Sequence, residues 1–147
     1  MTSPEPPATG PNADKLIMIV DDDDSVRELL EFVVHKEGFK IATAADGEEA
    51  VNSIQKGQPD LIILDLMLPR YGGFEVLRRL QSGETARIPI IIITGRYTDR
   101  STAEMIRQES NVVDFLEKPI KPAVISAALH KVLKTKPPEI TSGAGGS

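Results

Sequence analysis

The chain has 147 residues, a length that suits one domain with its own core. With 40% apolar residues it is expected to fold, and with no Cys it offers no disulfide framework, thiolate metal site or cysteine nucleophile. Lys plus Arg number 17 against 22 Asp plus Glu, a net charge of −5, which argues against non-specific binding to nucleic acid or an anionic membrane. Apolar runs stay well below the ~18 residues of a membrane span.

Residues 1–14 are rich in Pro, Thr, Ser and Gly and lack the basic and apolar regions of a secretory signal, so a disordered tail and a cytoplasmic location are expected. LIMIV (16–20) reads as a strand buried on both faces. From Asp24 the period becomes helical, with Val26, Leu29, Leu30, Val33 and Val34 on one stripe. Asp24 or Ser25 is expected to cap that helix and Gly38 to end it. KIATA (40–44) is a second strand, followed by a helix capped by Asp46 and closed by Gly57. LIIL (61–64) is a third strand. A loop marked by Pro69, Gly72 and Gly73 then leads to a helix with Phe74, Leu77 and Leu80 inward. Pro89 opens IIII (90–93), residues 99–110 read as a helix with a thin stripe of Ala103 and Ile106, and VVDFL (112–116) is a fifth strand. Ile125, Leu129, Val132 and Leu133 mark a last helix, and residues 136–147 read as a disordered tail or linker. The ordered domain is thus expected over 15–135. Five apolar strands alternating with five helices predict an α/β fold, a parallel sheet covered on both faces.

In such sheets ligands bind beyond the carboxyl ends of the strands, so the residues just after each strand carry the functional reading. Asp21 to Asp24 follow the first strand, Asp65 the third, Thr94 the fourth, and Lys118 with Pro119 the fifth. A hard cation such as Mg²⁺, or Mn²⁺ as an alternative, takes carboxylate oxygens, and mutual repulsion among the aspartates favours its binding. Lys118 adds a compact charge suited to a phosphoryl oxygen, and a carboxylate can be a nucleophile that forms an aspartyl-phosphate. Taken singly, each feature has a plainer reading. An acidic run favours a helix N-terminus, which suffices for Asp23 and Asp24, and a lone lysine is usually solvated. Their coincidence at the ends of one sheet is what gives weight to the site. His35 and His130 read as solvated helix positions.

IVDDD, PDLIILDLMLPRYGGFEVLRRL, IPIIIITGR and DFLEKPI together resemble the receiver domain of two-component response regulators, across the whole ordered region. The resemblance implies a flavodoxin-like sheet of order 2-1-3-4-5. It implies a phosphoryl group taken from a histidine kinase or phosphotransfer protein. By position Asp65 resembles the phosphoacceptor, and Asp22 and Asp21 the metal ligands, with the backbone carbonyl of Met67 completing them. Thr94 and Phe115 are similar to the family's switch pair, Lys118 to the lysine that meets a phosphoryl oxygen, and Lys118–Pro119 to a bond that is often cis. Met67 and Arg96 fall where the family modulates hydrolysis. Output is implied through protein contacts of the fourth helix, fifth strand and fifth helix. The partner is then a downstream protein target, not nucleic acid directly, with the chain monomeric or weakly dimeric on phosphorylation.

The chain departs from the family pattern at Gly95, where Ala or Ser is usual, and at ESNVVDF, which lacks the usual Gly before the fifth strand. Two other classes compete with a switched signalling module. An aspartyl-phosphate phosphatase needs a second Asp two residues after its nucleophile, where this chain has Met67. A phosphorylation-independent pseudo-receiver would lack one of the acid pair, acceptor, Thr or Lys, and all are present. A flavin protein is disfavoured by 4% aromatics and acidic loops, and a Rossmann site by the absence of Gly-x-Gly-x-x-Gly after the first strand.

Overall fold

The computed structural model describes residues 10–68, 72–95, 100–109 and 111–138. Five strands, β1 (Leu16–Val20), β2 (Lys40–Ala44), β3 (Leu61–Asp65), β4 (Ile90–Thr94) and β5 (Val112–Glu117), pair in parallel in the order β2-β1-β3-β4-β5. Five helices connect or follow them: α1 (Asp24–Lys36), α2 (Gly47–Gly57), α3 (Gly72–Arg79), α4 (Arg100–Arg107) and α5 (Pro122–Leu133). A short 3₁₀ turn, Gly83–Arg87, leads into β4.

The two faces follow from the period of two along each strand. Met18, Val20, Ile62, Leu64, Ile90 and Ile92 point into a core covered by Ala50 and Ile54 of α2, Val76 and Leu77 of α3, and Ile106 of α4. Their neighbours Ile17, Ile19, Leu61, Ile63, Ile91 and Ile93 point the other way, beneath Leu30 and Val34 of α1 and Ile125 and Leu129 of α5. Because both faces are covered, the central strands are apolar at nearly every position.

Several local expectations are corrected. Asp23 caps α1, in place of Asp24 or Ser25: its backbone is extended and its carboxylate accepts from the amides of Ser25 and Val26, while Asp24 is already helical. Helix α2 closes at Gly57 as expected, and the left-handed residue that follows it is Gln58. On α3 the inward face is Gly73, Val76 and Leu77, continued by Leu80, and Phe74 is 46% exposed. Phe74, Leu77 and Leu80 advance in steps of three only, so the stripe drifts off the buried face that the mixed three-and-four spacing keeps. Between Ile90 and Ile91 the β4–β5 register shifts, which leaves Val113 as an extra residue on β5 and re-aims the side chains beyond it.

The expected N-terminal tail is also corrected where it is described. Asn12 is 3% exposed, and its side-chain amide donates to the backbone carbonyls of Glu37 and Lys136. Asn12 therefore ties this segment to the residue that ends α1 and to the chain just past α5. Residues 1–9 and 139–147 of the two proposed tails lie outside the described residues, as does Arg96.

Candidate functional site

The four aspartates that follow β1 divide into four roles. Asp21 is buried at 1% exposure, and its Oδ1 accepts from the Asp23 amide at 2.9 Å. Asp22 points into solvent, Asp23 caps α1, and Asp24 pairs with Arg27. Arg27 also donates to the Asp21 carbonyl at 2.8 Å, tying the loop to the first turn of α1. Splitting the run between helix end, solvent and interior limits the repulsion among its charges.

Asp65, at the end of the adjacent strand β3, is 2% exposed. Its Oδ1 accepts from the Met67 amide at 3.1 Å, which turns the chain sharply after the strand. That turn is held by a close approach of α3: the Gly73 amide donates to the Leu66 carbonyl, and a Cβ on Gly73 would stand 2.4 Å from Leu66 Cα. Only glycine fits there. Met67 itself extends into solvent at 71% exposure.

Lys118 arrives from the far side of the sheet. Its amide donates to the Thr94 carbonyl at 2.7 Å, continuing the β4–β5 ladder by one residue, and the Lys118–Pro119 bond is cis. The ammonium lies 3.3 Å from Asp21 Oδ2 and 3.4 Å from Asp65 Oδ2, one cation between two buried carboxylates. Thr94 is wholly buried at the end of β4, one residue past the partner of Asp65.

The electrostatics are unbalanced. Burial pushes Asp21 above the usual carboxylate range, and the nearby Asp65 charge adds to that, against the amide of Asp23 and the Lys118 charge. Burial pulls the Lys118 ammonium down, but the two carboxylates outweigh it and hold the lysine above its usual value. Asp21 Oδ2 has no hydrogen bond of good geometry among the described residues, only the ammonium beside it. One oxygen each of Asp21, Asp22 and Asp65 lie within 4.8 Å of one another. An orphaned buried oxygen in an all-oxygen acidic cluster fits a hard divalent cation, which would fill the missing bond and relieve the repulsion.

Asp21, Asp22, Asp65 and Lys118 thus converge as the strand-end reasoning expects, with Thr94 alongside. Phe115 stands farther along β5, half-buried against the core, with the Arg107 guanidinium 4.9 Å over its ring. His130, expected in solvent, is instead bound up in a polar cluster at the opposite end of the sheet. Its Nε2 lies 2.6 Å from Glu37 Oε1 and its Nδ1 2.7 Å from Thr135 Oγ1. That pairing spans 93 residues, and no local sequence pattern announces it.

The profile of the response regulator receiver domain matches residues 17–130. The chain belongs to this family. Two similar proteins are the transcriptional regulatory protein AfsQ1 of Streptomyces coelicolor and the alkaline phosphatase synthesis transcriptional regulatory protein PhoP of Bacillus subtilis. AfsQ1 is 37% identical over 87% of this chain and 55% of its own length, and PhoP 33% identical over 82% and 49%. The receiver therefore spans about half the length of the curated relatives it matches. Among solved structures, the receiver domain of the sensor histidine kinase PA1611 of Pseudomonas aeruginosa has a TM-score of 0.73 and 27% identity, covering 82% of this chain and 98% of that one. That structure holds a magnesium ion in its active-site cleft. The order β2-β1-β3-β4-β5 is the sheet of this family, and the family's work is two-component signalling, not that of an enzyme class. No described helix is long and apolar enough to cross a membrane.

Proposed function

We propose that this receiver accepts a phosphoryl group on Asp65 from the phosphohistidine of a histidine kinase or phosphotransfer protein. The observation that carries the proposal is the Lys118 ammonium, 3.4 Å from Asp65 Oδ2 and 3.3 Å from the orphaned Asp21 oxygen. Asp21, Asp22, Asp65 and the Met67 carbonyl would hold Mg²⁺ or Mn²⁺. That ion supplies positive charge to the phosphoryl oxygens during transfer. Asp65 attacks phosphorus through a carboxylate oxygen. The new O–P bond forms as the N–P bond to the donor imidazole breaks, and the electron pair returns to that nitrogen. Lys118 is placed to exchange its carboxylate contact for a phosphoryl oxygen without leaving the site.

Thr94 and Lys118 lie on neighbouring strand ends joined by a backbone hydrogen bond, so a group that draws on both side chains moves β4 and β5 ends together. A phosphoryl group adds charge and three acceptor oxygens, enough to bias such a two-state element. The output face is then α4, β5 and α5, with Phe115 at its centre, meeting a protein target. Relatives named as transcriptional regulators support an output in gene expression.

The test is labelling with a small phosphodonor and Mg²⁺. Asp65→Asn should lose base-labile phosphate incorporation entirely while keeping its unfolding transition. Normal labelling of that variant would move the acceptor to Asp21 or Asp22 and overturn the assignment. A second expected result is that beryllofluoride shifts amide resonances of α4, β5 and α5. Changes confined to the loops after β1 and β3 would remove that face as the output.

A further inference from the structure

Phe115 lines two hollows at once. On one side is a cavity of about 310 Å³ bounded by Thr94, Gly95, Ala103 and Arg107. On the other is one of about 360 Å³ bounded by Pro119, Ile120, Val124 and Ile125. Phe115 therefore borders open space on two sides, one of them beside the buried Thr94. Most core side chains have no such freedom, because interiors are packed to crystal density. Something must hold the ring where it stands. It packs against the core cluster that includes Ile106. The face is covered by Arg107, whose guanidinium carbon lies 4.9 Å from the ring centroid.

We infer that Arg107 is a positioning residue that latches Phe115 in the unphosphorylated receiver and so sets how readily the switch is thrown. A guanidinium over an aromatic face is attracted by the ring quadrupole and is only weakly hydrated, so it stacks well at an exposed position. Arg107 is exposed, in the last turn of α4. Because Arg107 also bounds the cavity beside Thr94, a ring turning into it must break the stack or displace the guanidinium, and both are unfavourable. Arg107 thus opposes the ring movement that the phosphoryl group favours. The latch joins α4 to β5, so releasing it also loosens the helix from the strand. This inference rests on the proposed phosphorylation switch for its direction, but the position of the ring can be measured without it.

The experiment compares wild type with Arg107→Gln and Arg107→Lys, each alone and combined with Phe115→Leu. Lysine keeps a cation that can sit over the ring, glutamine does not, and leucine removes the aromatic face. Two readouts are taken: ring-carbon and ring-proton NMR of Phe115 in the free protein, and the apparent affinity for beryllofluoride with Mg²⁺. Arg107→Gln should shift the Phe115 ring signals and tighten beryllofluoride binding by about two- to five-fold, the range of an exposed cation–π contact. Arg107→Lys should fall nearer to wild type, and neither substitution should matter in the Phe115→Leu background. Ring signals unchanged by Arg107→Gln, or an equal gain without the aromatic ring, would overturn the latch. A wild-type protein that ignores beryllofluoride would refute the phosphoacceptor reading instead, and the ring signals would still decide the latch.

Discussion

The two ends of this sheet each bury a carboxylate beside a cationic or protonatable partner, and they treat it in opposite ways. At the amino end, Glu37 Oε1 meets His130 Nε2, Oε2 accepts from Ser126 at 3.3 Å, and the other histidine nitrogen meets Thr135. The imidazole also lies against the Phe39 ring, with centroids 5.6 Å apart. Each side-chain polar group of that cluster has a partner, and it ties the residue that ends α1 to α5 and the chain just past it. At the carboxyl end, Asp21 and Asp65 share one ammonium and an oxygen is left over. A satisfied buried network stabilises and fixes a fold, whereas a partly satisfied one stores unfavourable energy until a ligand completes it. The difference agrees with the proposed function, in which the amino end holds the fold and the carboxyl end binds.

The sharpest way to break this contrast is at the amino end. Glu37→Ala leaves His130 and Ser126 without their shared acceptor inside the protein. The expected loss is ~3 kcal/mol of folding stability, the scale for removing one partner of a buried pair. Urea unfolding measures it, and Mg²⁺ affinity should be unchanged within error. A loss below ~1 kcal/mol, or a parallel fall in Mg²⁺ affinity, would mean that the two ends are not functionally distinct.

The carboxyl end should respond with the opposite sign. Because burial raises Asp21, the folded state binds its proton more tightly than the unfolded chain does. Its contribution to stability is therefore full below the unfolded carboxylate value and is lost as pH rises through the higher folded value. In its charged form the buried Asp21 is a net burden. Asp21→Asn should then stabilise the metal-free protein at pH 7 by ~1 kcal/mol, as relief of active-site strain commonly does, while weakening Mg²⁺ binding. The gain should shrink on acidification and when Mg²⁺ is added to both proteins. Unfolding curves at pH 4 and pH 7, with and without Mg²⁺, decide it, and a destabilised variant at pH 7 would refute the strain.

This asymmetry also explains what was legible in the sequence. The strands announced themselves because both faces of a parallel sheet are covered, so LIMIV, LIIL and IIII are apolar without interruption. The binding end was legible because its residues sit immediately after those runs, and topology alone brings Asp21, Asp65, Thr94 and Lys118 together. The holding end was not, because Asn12, Glu37 and His130 lie on separate segments with no periodic relation, and each alone looks like a surface residue. Phe74 misled for a related reason: a large apolar residue invites an inward assignment, but the close approach at Gly73 orients α3 with Val76 and Leu77 inward. The extra residue at Val113 likewise depends on pairing between β4 and β5 and not on either strand alone.

The smallest expected effect concerns how fast the proposed aspartyl-phosphate on Asp65 is lost. Hydrolysis of an aspartyl-phosphate needs a water aligned opposite the leaving carboxylate, and alignment is a large part of such catalysis. Met67, two residues past Asp65, falls where the receiver family modulates this step. Its thioether is a weak acceptor at best and, at 71% exposure, stands in solvent and does not close over the site. The receiver therefore neither orients the water at this position nor seals it out with Met67. An amide there can donate and accept, and it can hold water on the line of attack. Met67→Asn should speed phosphate release about threefold, equivalent to ~0.6 kcal/mol of barrier. Stability should barely change, because the methionine buries little. Adding Arg96→Glu replaces the cation two residues past Thr94 with a carboxylate that can accept from water, and should raise the rate further. Release rates measured by phosphate-binding fluorescence after donor removal give the answer. A rate equal to wild type in the double variant would show that water reaches Asp65 by a path these two side chains do not border.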